Sequence, residues 1–371
     1  MVLFSQMYLF KVIYLLFLSC GFANAGALRS GKILTNSYER NHTFAFLVVD
    51  SSRSNAKLDC SKFNSDNDVF LNLSFRADPN PSLGKSAQST YSLWDGDKLY
   101  YLNIANEQTV SPIIFCFNHL KELYVHKTSF PDGRIPAEIK FLAPTLTSFG
   151  VFDTPITDVA EEVGQLPRLQ SLELVRTGLR TLPESIGDLP ALNYINLSWN
   201  MLTALPKTIV NNLSLRQVDI SHNPNLTSLD SFKDHPFLQV IIAENCSIDK
   251  LPVNLPKLTD LYMANNKLTN LVNIDTLGYK SDTKIYFYFN NNQIDFIHPQ
   301  IRSVGNLYSL DLNNNRLKTL PIDIFRMNNL HFFSMENNYF NSSQLKKIVY
   351  HFKYSNPALT LIYKRQRIPH P

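Results

Sequence analysis

The residues that could bind a metal or act in catalysis do not form a complete motif. Asn64, Asp66 and Asp68 have the alternating spacing of a calcium-binding loop. However, Val69 stands where that loop needs glycine, and no acid follows at its last position. We therefore predict an acidic surface loop at 64–68, without a metal.

Catalytic signatures are missing as well. The sequence has no HExxH, no GxSxG, no pair of CxxC motifs and no glycine-rich phosphate loop. His222 and His331 fall on a predicted surface and are interpreted as solvated side chains. We therefore expect a protein that is not an enzyme and has no cofactor. An enzyme whose site is assembled from distant residues is the alternative.

The first 25 residues differ from the rest of the chain. Lys11 precedes an apolar run at 12–18, and Ala23 and Ala25 form a small-residue cleavage site before Gly26. This order is typical of a secretory signal peptide, so we predict cleavage before Gly26 and an extracellular location. An uncleaved membrane anchor is the alternative. The remaining sequence has no apolar stretch long enough to span a bilayer, so no membrane contact is expected after cleavage.

Charge gives little indication of a nucleic-acid partner. The chain has 35 Lys and Arg against 31 Asp and Glu, a formal net charge of +4, and we expect this excess to be scattered. The basic cluster at 363–367 is interpreted as a solvated tail, with a polyanion site as the alternative.

The organising feature is a repeat of the form LxxLxLxxNxL. Leu192, Ile195, Leu197, Asn200 and Leu202 form one copy. Successive copies are mostly 23 residues apart, and a short copy is offset by a long one. Ten copies begin at Leu120, Leu146, Leu169, Leu192, Leu215, Leu238, Leu258, Lys284, Leu307 and Leu330.

A second half-motif follows the first in several copies. It has the form LPxxI, as at Leu182-Pro183 with Ile186 and at Leu205-Pro206 with Ile209. Together the two halves resemble the leucine-rich-repeat family over about 118–341. The LPxxI half is similar to short repeats of scaffold and adaptor proteins, and to plant receptor ectodomains and polygalacturonase-inhibiting proteins. Lys284, in a leucine position, departs from the pattern.

The repeat also has a physical explanation. Alternating apolar residues form a strand with one buried face, which a single strand cannot bury alone, so the strands stack into a parallel sheet. We predict an α/β solenoid: a leucine-rich-repeat horseshoe with a concave parallel sheet, with the LPxxI segments on the convex side. The predicted divisions are a signal peptide (1–25), an N-terminal cap (26–117), about ten repeats (118–341) and a C-terminal cap (342–371).

The ninth position of each copy faces the interior. An asparagine there can both donate to and accept from backbone groups that the turn leaves unpaired. Thr128, Thr154 and Thr177 occupy this position in the first three copies, and Cys246 in the sixth. The remaining copies have asparagine: Asn200, Asn223, Asn266, Asn292, Asn315 and Asn338.

Both ends of a solenoid need a cap. We predict a β-rich N-terminal cap with strands at 44–49, 69–75 and 99–104, and a turn at Asp95-Gly96. A separate functional domain at 26–117 is the alternative. Since Cys20 leaves with the signal and Cys246 lies inside, Cys60 and Cys116 are the expected disulfide. At the other end we predict a helix at 342–354 and a last strand at 359–363.

Two sets of surface residues point to function. Seven sequons predict glycans at Asn41, Asn72, Asn196, Asn212, Asn225, Asn245 and Asn341, of which Asn196 would mask the middle of the concave face. The concave positions also carry aromatic and acidic residues, which favour binding at the C-terminal half, with cross-strand packing as the alternative. The predicted ligand-binding residues are Tyr262, Tyr286, Tyr288, Tyr308, Asp311, Phe332 and Glu336.

We therefore expect a secreted recognition protein that binds an extracellular protein or glycan. An inhibitor of a secreted hydrolase and a structural matrix component are the alternatives.

Overall fold

The structure, a computed structural model, describes residues 58–75, 77 and 89–367. The predicted signal peptide, the strand predicted at 44–49 and the sequon at Asn41 lie outside these residues. The strands are β1 (Tyr91–Asp95), β2 (Lys98–Ala105), β3 (Glu122–His126), β4 (Arg134–Ile135), β5 (Ser148–Phe152), β6 (Asp158–Val159), β7 (Ser171–Val175), β8 (Tyr194–Asn196), β9 (Gln217–Asp219), β10 (Val240–Ile242), β11 (Asp260–Tyr262), β12 (Ile285–Tyr288), β13 (Leu307–Asp311), β14 (Phe332–Ser334) and β15 (Thr360–Ile362).

The main sheet has 13 strands within the described residues. β1 and β2 form an antiparallel hairpin around the predicted turn at Asp95-Gly96. From β2 onward each strand of this sheet pairs in parallel with the next, while β4 and β6 pair separately. One strand of the main sheet falls in each of the ten predicted copies, so the parallel solenoid predicted from the repeat is confirmed. Within each copy the fourth and sixth positions are buried, which forms one continuous apolar core.

The convex side consists mainly of short 3-10 helices rather than α-helices. Four of them follow the proline of an LPxxI-type segment, and the isoleucine of that segment is buried in each, as at Ile186 and Ile209. Neighbouring turns pack closely enough that a Cβ on Gly187 would lie 2.4 Å from the backbone oxygen of Thr208. The 3-10 helices span Cys60–Lys62, Pro112–Cys116, Pro131–Gly133, Ala137–Leu142, Glu161–Gln165, Glu184–Asp188, Lys207–Asn211, Asp230–Phe232, Ile274–Thr276, Pro299–Ser303 and Ile322–Arg326.

The buried asparagines at the ninth position bond to backbone groups as predicted. Asn315 is representative: its Oδ1 accepts from Ile294 N at 2.9 Å, and its Nδ2 donates to Phe289 O at 2.9 Å and Leu312 O at 3.2 Å. Each amide therefore joins one turn to the preceding one. Cys246 is buried at the same position and its thiol makes only longer contacts, to Ile220 O at 3.4 Å and Glu244 O at 3.5 Å.

The N-terminal region differs from the prediction at two places. The strand predicted at 69–75 is wrong, because helix α1 (Asp66–Leu71) covers its first part, capped by the Ser65 hydroxyl, which accepts from Asp68 N. The acidic surface loop is also wrong at Asp66, which is buried. Its carboxylate accepts from Leu99 N at 2.9 Å and Asn118 N at 2.7 Å, and so ties α1 to the sheet.

A disulfide joins Cys60 to Cys116, whose Cα atoms are 5.2 Å apart. Cys246 is the free cysteine of the described residues. Because β2 also pairs directly with β3, the described part of the N-terminal region is continuous with the repeats.

The departure at Lys284 results from a shift of register. Lys284 is exposed, and Ile285 fills the leucine position, with an irregularity in the pairing of β12 and β13 just after it. This copy therefore has one residue fewer between its buried first and fourth positions, and the core is preserved because Ile285 takes the leucine position.

The C-terminal end contains helix α2 (Ser342–Ser355) and then β15. A capping box formed by Asn341 and Gln344 begins the helix, and Ile348 and Phe352 face the core. The basic side chains of Lys364, Arg365 and Arg367 are exposed, as expected of a solvated cluster, but the segment 363–367 is not a free tail. Gln366 takes the place of the ladder asparagine there, since its Nε2 donates to Met335 O at 3.1 Å and its Oε1 accepts from Asn338 N at 3.2 Å.

Candidate functional site

The concave face carries rows of side chains, because equivalent positions of successive copies lie beside one another in a parallel sheet. The register places Glu173 beside Asn196 and Asn196 beside Asp219, all at the fifth position. The residues at the eighth position follow the strands and form a second row along their carboxyl ends.

The central part of the eighth-position row is a stack of three side chains, Arg176, Trp199 and His222, which we call the tryptophan ladder. The rings of Trp199 and His222 are nearly parallel, with centroids 3.6 Å apart. The guanidinium carbon of Arg176 lies 5.1 Å from the centroid of the Trp199 ring. Asp153 pairs with Arg176 at 2.9 Å, and Asn245 Nδ2 lies 3.3 Å from His222 Nε2. Partners on both sides therefore fix the orientation of the indole.

The backbone gives this row its outward direction. The eighth residue of all ten copies has a positive φ, a conformation that asparagine tolerates better than most residues. The last five copies have asparagine there, whereas Trp199 (φ 61°), His222 (φ 57°) and Arg176 (φ 55°) adopt it with large side chains. Large residues held in this conformation often mark a functional position.

Beside the ladder lies an acidic row at the fifth position. Asp219 Oδ1 accepts from Ser221 N at 3.0 Å and from Ser221 Oγ at 2.7 Å, which closes the end of its strand. Burial, with a smaller contribution from the negative charge of Asp219, raises the pKa of Glu173 to about 7. Burial also raises the pKa of Asp219. The centre of the concave face thus combines two acids of raised pKa with an exposed arginine and indole.

Burial of His222 and the positive charge of Arg176 lower the pKa of the imidazole. A neutral imidazole leaves one ring nitrogen as an acceptor, which suits the Asn245 amide beside it. His222 therefore acts in the ladder as an aromatic ring, and the interpretation of a solvated histidine needs correction there.

The predicted C-terminal binding set divides into two parts. Tyr262, Tyr288 and Asp311 are buried, and Tyr262 has no exposed surface at all. The rings of Tyr262 and Tyr288 stack in parallel with centroids 4.8 Å apart. The expectation of exposed rings is therefore wrong for these two tyrosines, and cross-strand packing accounts for them. Burial raises the pKa of Asp311 to about 6, and its Oδ1 accepts from Asn313 N at 2.9 Å.

The other predicted residues of this half are partly exposed: Tyr286, Tyr308, Phe332 and Glu336. Tyr308 is central, with ring centroids 5.6 Å from Tyr286, 5.6 Å from Phe332 and 4.6 Å from His331. Lys284 Nζ lies 3.8 Å from the centroid of the Tyr308 ring. We call Lys284, Tyr286, Tyr308, His331 and Phe332 the tyrosine cluster.

Lys284 and His331 were not among the predicted ligand-binding residues. They occupy the first and second positions of their copies, which the alternating pattern does not assign to the concave face. A further row at the N-terminal end also lies outside the predicted ligand-binding set: Tyr91 and Tyr101 stack at 5.3 Å, and Tyr124 continues from Tyr101 at 5.5 Å. Leu99, Leu102 and Ile104 repeat the LxxLxL spacing of a copy, and this signal would have placed Tyr101 at the third position.

The predicted glycosylation sites differ in accessibility. Asn212 is 1% exposed, and its Nδ2 donates to Ile186 O at 2.9 Å, so this nitrogen cannot carry a glycan in the folded chain. Asn196 is also buried, and its Oδ1 accepts from Ser198 N at 3.0 Å. The predicted glycan over the middle of the concave face is therefore wrong for the folded chain. The side chains of Asn72, Asn225 and Asn341 are exposed, and that of Asn245 is partly exposed.

The described residues contain no group of three or more His, Cys, Asp or Glu side chains placed to hold a metal ion. No helix within 58–75 or 89–367 is long and apolar enough to cross a membrane.

Comparison with known proteins supports the fold. The Leucine Rich Repeat family model matches residues 306–327, and no curated protein matches the chain in sequence. The chain is similar to an internalin (inlF) of Listeria monocytogenes, with 16% identity over 73% of this chain and 82% of that chain and a TM-score of 0.52.

Two structures of complexes are also similar. A chain of the Toll–Spatzle complex of Drosophila shares 19% identity over 71% of this chain and 40% of that chain, with a TM-score of 0.56. A chain of the octameric complex of Latrophilin 3, Unc5D and FLRT2 (LRR) shares 17% identity over 73% of this chain and 91% of that chain, with a TM-score of 0.57. At these identities the likeness establishes the leucine-rich-repeat fold alone.

Proposed function

We propose that this chain is a secreted recognition protein that binds a protein ligand through its concave face and catalyses no reaction. The observation that carries the proposal is Trp199, which is 47% exposed although its ring is held between Arg176 and His222. Tryptophan and arginine are the residues that most often dominate binding energy at protein interfaces.

The tryptophan ladder suits binding because it is ordered before the ligand arrives. Stacking on His222 and the ion pair of Arg176 with Asp153 reduce the side-chain entropy that binding would otherwise cost. Exposed tryptophan also has no role in stabilising the core. The acidic row beside the ladder adds acceptors for a ligand that carries amide or cationic groups.

The tyrosine cluster is the second part of the proposed binding face. Its rings remain partly exposed, and Lys284 adds a positive charge above Tyr308. Tyrosines supply large contact area at low entropic cost. We therefore propose that Tyr286, Tyr308 and Phe332 contact the ligand. The buried Tyr262 and Tyr288 instead stabilise the sheet by packing on each other.

The comparisons support recognition in general. Two of the similar structures are complexes named for their partners, Spatzle in one and Latrophilin 3 and Unc5D in the other. Secretion rests on the apolar N-terminal segment and on the Cys60–Cys116 disulfide, since disulfides persist mainly in oxidising compartments.

The test is a comparison of variants in capture from extracellular material. The tagged mature chain, Trp199→Ala, a Tyr286→Ser/Tyr308→Ser double variant and Ile322→Ala as control are immobilised, and bound proteins are identified by mass spectrometry. Ile322 is 64% exposed and begins a 3-10 helix of the convex side, so its loss should not affect the concave face.

We expect one set of proteins to be captured by the wild type and by Ile322→Ala, and to be lost with Trp199→Ala. For a purified partner the loss should be about 30-fold or more in affinity, as for an interface residue worth about 2 kcal/mol. Equal capture by all variants would refute the assignment of the concave face. A captured glycan in place of a protein would refute the ligand class.

A further inference from the structure

The net positive charge of the chain comes from its C-terminal end. Residues 342–371 contain six Lys and Arg and no Asp or Glu. The other 341 residues contain 29 basic and 31 acidic residues, a net charge of −2. The expectation of scattered charge is therefore wrong, and the whole positive excess lies in the C-terminal cap.

The helix α2 exposes part of this charge on one face. Lys346, Tyr350 and Lys353 follow one another at helical spacing, and Lys347 and Tyr354 lie beside them. Tyr350 is 61% and Tyr354 is 67% exposed, and their ring centroids are 4.7 Å apart. Two exposed aromatic rings thus lie among three lysines.

The segment after β15 adds basic residues that are held in place. The backbone nitrogen of Asn337 donates to the carbonyl of Arg365, and Arg367 N donates to Asn338 O at 2.7 Å. The guanidinium carbon of Arg367 lies 5.8 Å from the centroid of the Tyr339 ring, three residues before α2 begins. In the described residues no carboxylate forms an ion pair with any basic side chain of this cap.

We propose that the C-terminal cap is a second binding surface, formed by the exposed face of α2 and the basic residues after β15, for a sulfated polysaccharide. A surface with six cations and no anion attracts a polyanion and gains free energy from the counterions that the polyanion releases. Exposed tyrosines offer flat faces against which sugar rings pack. The choice of polysaccharide depends on the proposed secretion, since sulfated polysaccharides are the polyanions outside the cell.

The same observations disfavour a membrane as the occupant. A helix that lies on a bilayer buries an apolar face in it. In α2 that face is already occupied, because Ile348 and Phe352 are buried against the solenoid. The exposed side of α2 carries lysines and tyrosines together with serines and His351, and these polar side chains suit contact with a hydrated polymer.

The test measures binding of the full mature chain to a size-defined heparin oligosaccharide at several salt concentrations. The variant is Lys346→Gln/Lys347→Gln/Lys353→Gln. The matched control removes three exposed lysines elsewhere, Lys250→Gln, Lys267→Gln and Lys318→Gln, so both proteins have the same net charge.

We expect the cap variant to lose about 100-fold in affinity, roughly fivefold for each lysine near a highly charged polymer. The fall of log affinity with log salt concentration should become less steep, with the magnitude of its slope smaller by about 2–3 than for the wild type. The control should change little. A Tyr350→Ser/Tyr354→Ser variant should weaken binding without changing the salt slope, and unchanged circular dichroism excludes loss of the helix as the cause.

Three results would overturn the proposal: equal losses in the cap variant and the control, equal binding of desulfated heparin, or tighter binding of duplex DNA or phosphatidylserine vesicles than of heparin. The result is independent of the concave face. Trp199→Ala should bind heparin normally even if it captures no protein, and the cap variant should still capture the concave-face ligand.

Discussion

Asn266 and Cys246 occupy the same position in adjacent copies, so they provide a matched test of the asparagine ladder. Asn266 Oδ1 accepts from Ile248 N at 3.0 Å, and its Nδ2 donates to Ala243 O at 2.7 Å and Met263 O at 3.2 Å. Asn266→Ala leaves a buried N–H unpaired, at a cost of about 1–3 kcal/mol, and removes two further bonds of about 1 kcal/mol each. We therefore expect a loss of about 4 kcal/mol in the free energy of unfolding.

Cys246→Ala should cost far less. The donor that corresponds to Ile248 N in the preceding copy is Leu226 N, and it bonds to Asn223 O at 3.0 Å without help from Cys246. Asn223 and Leu226 are one residue further apart than the asparagine and leucine of the NxL spacing in the other copies, and this longer turn allows the local bond. Only weak thiol contacts are then lost, and we expect a change of about 1 kcal/mol.

The assay is urea unfolding followed by circular dichroism, with the free energy extrapolated to zero denaturant and the m-value compared between variants. An unchanged m-value shows that the same surface unfolds in each protein. Equal losses for the two variants would contradict the reasoning, because they would show that the backbone bonds of the asparagine do not stabilise the turn.

Three further changes test other parts of the structure. The pKa of Glu173 is raised to about 7 in the folded chain, so the folded state binds a proton more tightly than the unfolded state does. The free energy of unfolding should therefore fall as pH rises from about 4.5 to 7. Urea unfolding of Glu173→Gln should not show this fall. Gly187→Ala should lose about 1–3 kcal/mol through the close contact with the next turn, whereas Gly305→Ala, with nothing within 4 Å, should lose none, as measured by urea unfolding. Cys60→Ala removes the disulfide to Cys116, whose two cysteines are 56 residues apart in sequence. This should lower the free energy of unfolding by about 4 kcal/mol relative to the oxidised wild type.

Most of the fold could be predicted because ten copies of the repeat share one pattern of apolar positions. A single irregular copy, such as that of Lys284, cannot change the architecture, since Ile285 moves into the core and the neighbours maintain the sheet. The N-terminal region has no such repetition. Apolar residues at 69–75 suggested a strand there, but the Ser65 cap and the buried bonds of Asp66 stabilise a helix.

The site was predicted less well, because alternation gives the direction of a side chain and not its exposure. Tyr262 and Tyr288 face the concave side as expected, yet each covers the other. The tryptophan ladder was not predicted, because the sequence does not show that Arg176, Trp199 and His222 stack on one another.

Position within the copy explains why one stack is buried and the other exposed. The fifth position lies inside the strand, where neighbouring strands are about 4.8 Å apart and neighbouring side chains pack closely on a flat sheet. Two rings there leave no gap for a ligand, as Tyr262 and Tyr288 show. The eighth position follows the strand, and its left-handed backbone turns the side chain away from the sheet. Trp199 can therefore stack on His222 and still present nearly half of its surface to solvent.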